Sequence, residues 1–316
     1  MQQWLADAPA NIALIKYMGK QDKETNIPAN SSLSCTLNHL RSYVSLEHIN
    51  SQHDFWEPLE LPGRLAMPLS ANEQQRFLMH LGFLKAHFNY RGTFIVRSTN
   101  NFPSSTGLAS SASSFAALTQ CAILALCELT QTPILDRKEQ AKLSRQGSGS
   151  SCRSFFSPWA LWEGDTVKPI TIPYDNLIHE VIIVSHIPKA VSSSEAHNRV
   201  VTSPQYQMRP HNAQKHLRQL LDAFQAKQWA EAYAICWREF QDMHALFSSS
   251  SQPFSYITPQ TQTLLNQLKA RWEERGDGPI VTMDAGPNIH LLYRPDQAEE
   301  ARVFKQDVLI GNYDVL

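Results

Sequence analysis

The sequence predicts an α+β protein of two domains, and three observations carry that expectation. Short β-branched or alternating apolar segments crowd the first third, at residues 10–17, 32–46 and 94–96. Long apolar helical stretches follow. Near residue 177 a polar stretch rich in Pro and Asn gives way to a fully apolar run, 181–185, after which helices and strands mix again. The expected division is therefore 1–177 and 178–316.

Taken in order, the first third reads as strand-rich. A helix then covers about 111–129, mostly Ala, Leu and Phe, and a second opens near Thr132-Pro133, with Thr as N-cap and Pro at the first helical position, and stops at Gly147. Residues 159–162 read as a strand entering a Glu163-Gly164-Asp165 turn. Beyond the boundary, 211–227 and 229–247 have the spacing of paired amphipathic helices, followed by a Ser-rich loop. Thr258-Pro259 starts another helix that ends at Gly276. The apolar runs 280–283 and 289–293 flank Asp284-Ala285-Gly286-Pro287-Asn288, which has the composition of a turn.

Composition narrows the function. With 316 residues, 42% hydrophobic and 18% charged, the chain can bury a substantial core. A formal charge of −1 leaves no global basic field for nucleic acid or membrane surfaces, so a bound anion must meet a local cluster. Five cysteines without a CxxC pair suggest neither a disulfide framework nor a thiolate metal site, and fit a reducing cytoplasm. No signal peptide is expected from the first residues. No run is expected to approach the roughly 18 apolar residues that span a bilayer. The twelve histidines include no HExxH, so no protein metal site is expected.

Four segments are candidate sites. Residues 103–111, Pro-Ser-Ser-Thr-Gly-Leu-Ala-Ser-Ser, run from a strand into an apolar helix. Free N–H groups and the helix dipole there favour an anion, although a serine-capped helix has the same text. It is not a Walker A loop, because no Gly-Lys-Ser/Thr follows. Gly147-Ser148-Gly149-Ser150-Ser151-Cys152-Arg153 is a small-residue connection ending in a guanidinium suited to a carboxylate or phosphate; a flexible turn with Arg153 solvated is the plainer alternative. Lys16, Tyr17 and Lys20 follow an apolar strand, as a phosphate grip or as isolated surface residues. Asp284 ends another strand, as a turn-former or as a base.

In this order the four resemble the diphosphomevalonate decarboxylase family of the GHMP kinase superfamily. The family pattern A-P-x-N-I-A-x-x-K-Y-W-G-K is matched from Ala8 to Lys20, and N-S-S-L-S by Asn30 to Ser34. N-N-F-P-x-x-x-G-L-A-S-S-A runs from Asn100 to Ala112, and R-x-G-S-G-S-x-C-R-S from Arg145 to Ser154. Val191-Ser192-Ser193, Met243-His244-Ala245 and Asp284 to Asn288 also match.

The resemblance implies a ribosomal-protein-S5-like amino-terminal domain and a ferredoxin-like carboxy-terminal domain, with ATP and substrate in the cleft between them. It implies phosphorylation of the 3-hydroxyl of mevalonate 5-diphosphate, then loss of phosphate and CO2 to give isopentenyl diphosphate. Asp284 is implied as the group that accepts or orients the hydroxyl proton, Lys16 as its partner and Arg153 as the clamp on the substrate carboxylate. ATP phosphates would lie against Asn101, Ser104, Ser105, Thr106, Gly107, Leu108, Ala109, Ser110 and Ser111, with Mg2+ held mainly by those phosphates. Ser148 and Ser150 would help neutralise the transferring group, and Tyr17, Lys20, Ser192 and Ser193 would grip the substrate phosphates. The family commonly forms homodimers.

Four departures stand out. Met18 replaces Trp, and Ser104-Ser105-Thr106 replaces Thr-Ala-Ala. Gln74 stands where the family often has an Arg on the diphosphate, with Arg76 two residues on, and Glu195-Ala196-His197 replaces x-G-M. They bear on diphosphate against monophosphate preference. A kinase without decarboxylation and, from another class, a non-catalytic RNA-binding protein on the S5-like fold are the alternatives; the near-zero charge weighs against the second.

Overall fold

A computed structural model describes residues 2–62, 69–102, 110–187 and 189–316. The first sheet is built on one long strand. In chain order come β1 (Gln3–Ile15), the short pair β2 (Lys20–Asp22) and β3 (Ile27–Pro28), and β4 (Ser32–Ile49). They are followed by β5 (Phe55–Pro58), helix α1 (Ala71–His87), β6 (Thr93–Asn100), α2 (Ser110–Thr130) and α3 (Arg137–Gly147). A 3-10 helix (Gly149–Phe155) then leads to β7 (Trp159–Glu163) and β8 (Thr166–Pro169). Strand β4 pairs antiparallel with β1 along one side, and with β6 and β7 on the other.

The pairing of β1 with β4 decides where the site lies. The register jumps between Pro9 opposite Arg41 and Ala10 opposite Leu37, and the buried face of β1 changes at that bulge. Before it, Trp4, Ala6 and Ala8 pack beneath α1–α3 with Phe77, Phe115 and Leu118. After it, Ala10, Ile12 and Leu14 enter a second core. The end of β1 is thereby delivered to the other domain.

That domain comprises β9 (Ile178–Ile183), α4 (Ser193–Arg199), α5 (Arg209–Gln225), α6 (Trp229–Ser248), α7 (Pro259–Arg275), β10 (Ile280–Thr282), β11 (Ile289–Tyr293), α8 (Ala298–Phe304) and β12 (Asp314–Val315). Its sheet has the order β10-β11-β9-β12 and is antiparallel throughout. One face, with Val181, Ile183, Ile280 and Leu292, packs with α5, α6 and the end of β1. The opposite face, with Ile182, Leu291 and Val281, packs on α7 and α8.

Several sequence expectations need correction. The strand-rich first third also holds α1, whose Ser70–Glu73 capping box is the N-terminal signal that strand patterning obscured. Helix α3 starts at Arg137, not at Thr132-Pro133, because Asp136 accepts from the Lys138 and Glu139 backbone N–H groups and caps it there. The strand expected at 181–185 begins three residues earlier and ends at Ile183. Helix α2 is, by length and composition alone, long and apolar enough to cross a membrane, although polar residues interrupt it and no apolar run in it approaches 18 residues. Its most apolar window is 72% buried inside the protein, which marks it as the core helix under the first sheet.

Candidate functional site

Lys16 leaves β1 where the two domains meet and is held from every side. Its backbone N–H donates to Glu239 Oε1 on α6 (3.0 Å), and its carbonyl accepts from Asn30 Nδ2 (2.8 Å) and from Arg209 Nη2 on α5 (2.9 Å). Its Nζ donates to Asp284 Oδ1 at 2.7 Å. The Lys16 side chain is buried, whereas Asp284 keeps 27% of its side-chain surface, so the carboxylate is the member of the pair that a ligand can reach.

The electrostatics follow from that contact. Burial pushes the Asp284 carboxyl up, but the Lys16 ammonium, His290 and the Arg153 guanidinium outweigh it and hold the group below the ordinary aspartate value. Asp284 is therefore an ionised acceptor at neutral pH. Burial also lowers Lys16, against the pull of Asp284.

Arg153 is not solvated, and its segment is not a flexible turn. It lies in the 3-10 helix, 4% exposed. Its Nε donates to Asn11 Oδ1 (3.2 Å), its Nη1 donates to Ser32 Oγ (3.0 Å), and its guanidinium lies 5.8 Å from the Trp162 ring. Asn11 is itself fixed by Ser154 Oγ (2.8 Å) and the Ser150 carbonyl (3.3 Å). Neutral partners on one side leave a fixed cation whose charge is felt at Asp284. The positions 153 and 284, distant in sequence, thus share one electrostatic field.

Tyr17 stacks between Trp162 and His197, at ring centroid distances of 4.6 and 4.4 Å. Its hydroxyl is buried with no hydrogen-bond partner among the described residues, and burial pushes its pKa up, so it stays a phenol able to donate. A Cβ on Gly149 would lie 2.7 Å from that ring; this close approach is why the position holds glycine. Lys20 is lowered by burial and then by the neighbouring charges of Arg76 and Lys23. Gln74 turns its amide onto the Leu69 carbonyl (2.8 Å), whereas Arg76 reaches toward the Gly147 carbonyl (3.4 Å).

The serines divide. Ser148 Oγ lies 3.5 Å from Ser111 Oγ, which joins the second glycine-serine segment to the start of α2. Ser150 contributes its carbonyl to Asn11. Ser192 caps α4 by accepting from the Glu195 N–H (3.1 Å), and Ser193 Oγ accepts from Lys189 Nζ (2.7 Å). Asn101 spans the β4 bulge, accepting from the Arg41 N–H and donating to the His39 carbonyl, so both ends of its amide are engaged. Ser110 begins α2, while Ser104, Ser105, Thr106, Gly107, Leu108 and Ala109 lie outside the described residues.

Several groups here had no role assigned from the sequence, although His244 falls in a matching motif. Lys189 also donates to the Ala285 carbonyl (2.8 Å), and burial draws its pKa down to about 8 against the pull of Asp284. His244 Nε2 lies 3.1 Å from the Asp284 carbonyl, and burial lowers it to about 4. The only local signal for Lys189 was a basic residue just before Val-Ser-Ser. A further group, His216, Glu239 and Asp242, has metal-like proximity, but Glu239 is already saturated by Arg209, His216 and the Lys16 N–H.

A family model described as the diphosphomevalonate decarboxylase-like N-terminal domain matches residues 8–169, and one described as the mevalonate 5-diphosphate decarboxylase C-terminal domain matches residues 180–309. The chain belongs to the diphosphomevalonate decarboxylase family. Among members of that family, a diphosphomevalonate decarboxylase of Debaryomyces hansenii is 32% identical, over 94% of this chain and 80% of the relative. The crystal structure of a mevalonate diphosphate decarboxylase from Legionella pneumophila is 57% identical over the full length of both chains, with a TM-score of 0.94. A structure of MDDEF in complex with MVAPP, AMPPCP and magnesium is 29% identical, over 99% of this chain and 95% of the other, with a TM-score of 0.86. The two-domain α+β GHMP kinase fold of the family is the fold of this chain.

Proposed function

We propose that this chain catalyses the ATP-dependent decarboxylation of mevalonate 5-diphosphate to isopentenyl diphosphate, CO2, ADP and phosphate. The observation that carries the reading is the 2.7 Å Lys16–Asp284 contact set in the field of the buried Arg153. ATP with Mg2+, the pair represented in the MDDEF complex by AMPPCP and magnesium, supplies the phosphoryl group. Ser111, Ser148 and the start of α2 are the described groups suited to its phosphates.

The chain's own residues then divide the work. Asp284, kept ionised by Lys16, accepts the 3-hydroxyl proton as the oxygen attacks. Arg153 holds the substrate carboxylate, so that the bond to CO2 stays aligned with the carbon that loses phosphate. Tyr17 and Lys20 of the first motif, together with Ser192 and Ser193 of the separate Val-Ser-Ser motif, take the substrate phosphates. ADP and CO2 should appear in equal amounts when the protein is given ATP, Mg2+ and mevalonate 5-diphosphate; ADP without CO2 would sink the reading.

Gln74 motivates a second reading, in which the preferred substrate is the monophosphate, because its amide is turned onto the Leu69 carbonyl. Arg76, whose charge already depresses Lys20, favours the diphosphate. The ratio of kcat/KM for the two phosphorylated mevalonates separates them. Gly149→Ala is expected to crowd Tyr17 and raise KM for the phosphorylated substrate by roughly tenfold, within the range of ordinary overpacking costs, with steady-state kinetics as the check.

The same reading takes 1–177 as the phosphate-loop domain and 178–316 as its partner. It places the protein in the cytoplasm, which five buried free thiols suit, and as a homodimer, to be checked by sedimentation.

A further inference from the structure

Three histidines stand in a hydrogen-bonded row across the seam between the domains. His39 Nε2 lies 3.1 Å from His179 Nδ1, and His179 Nε2 lies 2.9 Å from His290 Nδ1. His39 is exposed on the β4 bulge, His179 is half-buried on β9, and His290 is fully buried on β11. The row therefore runs from solvent to β11, which follows the loop that holds Asp284.

Each N···N contact needs one donor, and a neutral imidazole has a single N–H. Burial pushes all three rings below the ordinary histidine value, His290 to about 4, so the row is neutral at pH 7. The middle ring must then donate to one neighbour and accept from the other. Both hydrogen bonds point the same way, and passing one proton along the row reverses them together.

The inner end is unfinished. His290 Nε2 and Thr282 Oγ1 are buried with no hydrogen-bond partner among the described residues, and these two residues are paired directly across β10 and β11. Two orphaned polar atoms side by side are the setting in which a buried water is held. Asp284 follows Thr282 by two residues, its carboxylate and the His290 ring are close enough to influence each other, and Lys16 engages only its Oδ1.

We propose that His39, His179 and His290, completed by one water at Thr282, carry a proton between Asp284 and solvent. The proposal rests on the reading of Asp284 as the acceptor of the hydroxyl proton. In the outward setting, the O–H bond breaks as the oxygen takes the phosphoryl group, and the proton passes from Asp284 through the water to the His290 Nε2 lone pair. A different proton then leaves from His39 Nδ1. The same oxygen later departs with the phosphate as its C–O bond breaks. A proton entering at His39 returns through the row to Asp284 and on to the departing phosphate, which restores the first setting with no net proton lost.

His179→Phe keeps an aromatic ring in the seam and removes both nitrogens. In the full chain with ATP, Mg2+ and mevalonate 5-diphosphate, its kcat is expected to fall about tenfold or more with both KM values within about twofold, a range typical of losing an assisted proton transfer. Added imidazole, a mobile proton carrier, should restore the rate in proportion to its concentration. A rate within about twofold of the parent, or a loss that imidazole does not repair, overturns the relay and leaves the histidines as packing. Should His179→Phe fail to fold, His39→Ala at the exposed end replaces it, with the same expected imidazole rescue and the same overturning result. Failure of the parent itself to release CO2 would instead overturn the reading of Asp284.

Discussion

Asp284→Asn is expected to lower kcat by about 10²–10⁴-fold, the usual contribution of a positioned general base, while the protein stays folded and still binds nucleotide. The amide matches the carboxylate in shape and can still accept from Lys16 Nζ, which now donates at 2.7 Å. It has no negative charge and no basic lone pair of use to a tertiary hydroxyl. Two effects therefore act together: the proton has nowhere to go, and Lys16 loses the charge that offsets its burial. Single-turnover ADP formation separates them from binding, since substrate affinity should change far less than the rate. Retention of more than a tenth of parental kcat would mean that Asp284 only positions Lys16.

How much of this could be read beforehand differs between fold and site. The strands and paired helices whose apolar residues repeat at one period were legible, as with α5, α6 and α7, because one face of each packs on a core. Thr258 and Gly276 marked both ends of α7, since an N-cap hydroxyl and a left-handed Gly are local chemistry. Helix α1 escaped because it sits among strands and its buried face is narrow, leaving only Phe77, His80, Leu81 and Leu84 inside. The Thr132-Pro133 start failed because two capping signals lay four residues apart and Asp136 satisfied two N–H groups at once.

For the site, motif order placed Lys16, Arg153 and Asp284, and the fold brings their charges within reach of one another. What no motif conveys is the support: Asn11, Ser32, Arg209 and Glu239 act through contacts more than 100 residues apart in some cases, such as Asn11 with Ser154 and Lys16 with Glu239. Such pairings depend on the register jump in β1, which alternation alone does not locate.

Glu239→Gln is expected to destabilise the protein by about 3–5 kcal/mol, the cost of leaving a buried charge without its partner. Glu239 is fully buried and accepts from Arg209, from His216 Nδ1 (2.6 Å) and from the Lys16 N–H (3.0 Å); Arg209, also buried, returns a hydrogen bond to the Lys16 carbonyl (2.9 Å). The glutamine can still accept from Lys16, but the Arg209 guanidinium keeps its charge in a dry seam. Removing that charge as well, in Arg209→Met/Glu239→Gln, should recover much of the lost stability and still slow the reaction, because the Lys16 carbonyl has lost a donor and Nζ is held less firmly against Asp284. The pH dependence gives an independent check. Burial raises the Glu239 carboxyl, but Arg209 and its hydrogen bonds overcome this and bring it down to about 2 from an ordinary value of 4.5. A depressed carboxyl contributes stability that is fully present above its unfolded value and is lost as pH falls toward the folded one. The parent should therefore lose stability between about pH 4.5 and 2 more steeply than Glu239→Gln in urea unfolding, and equal slopes would show that the pair does not stabilise the seam in its charged form.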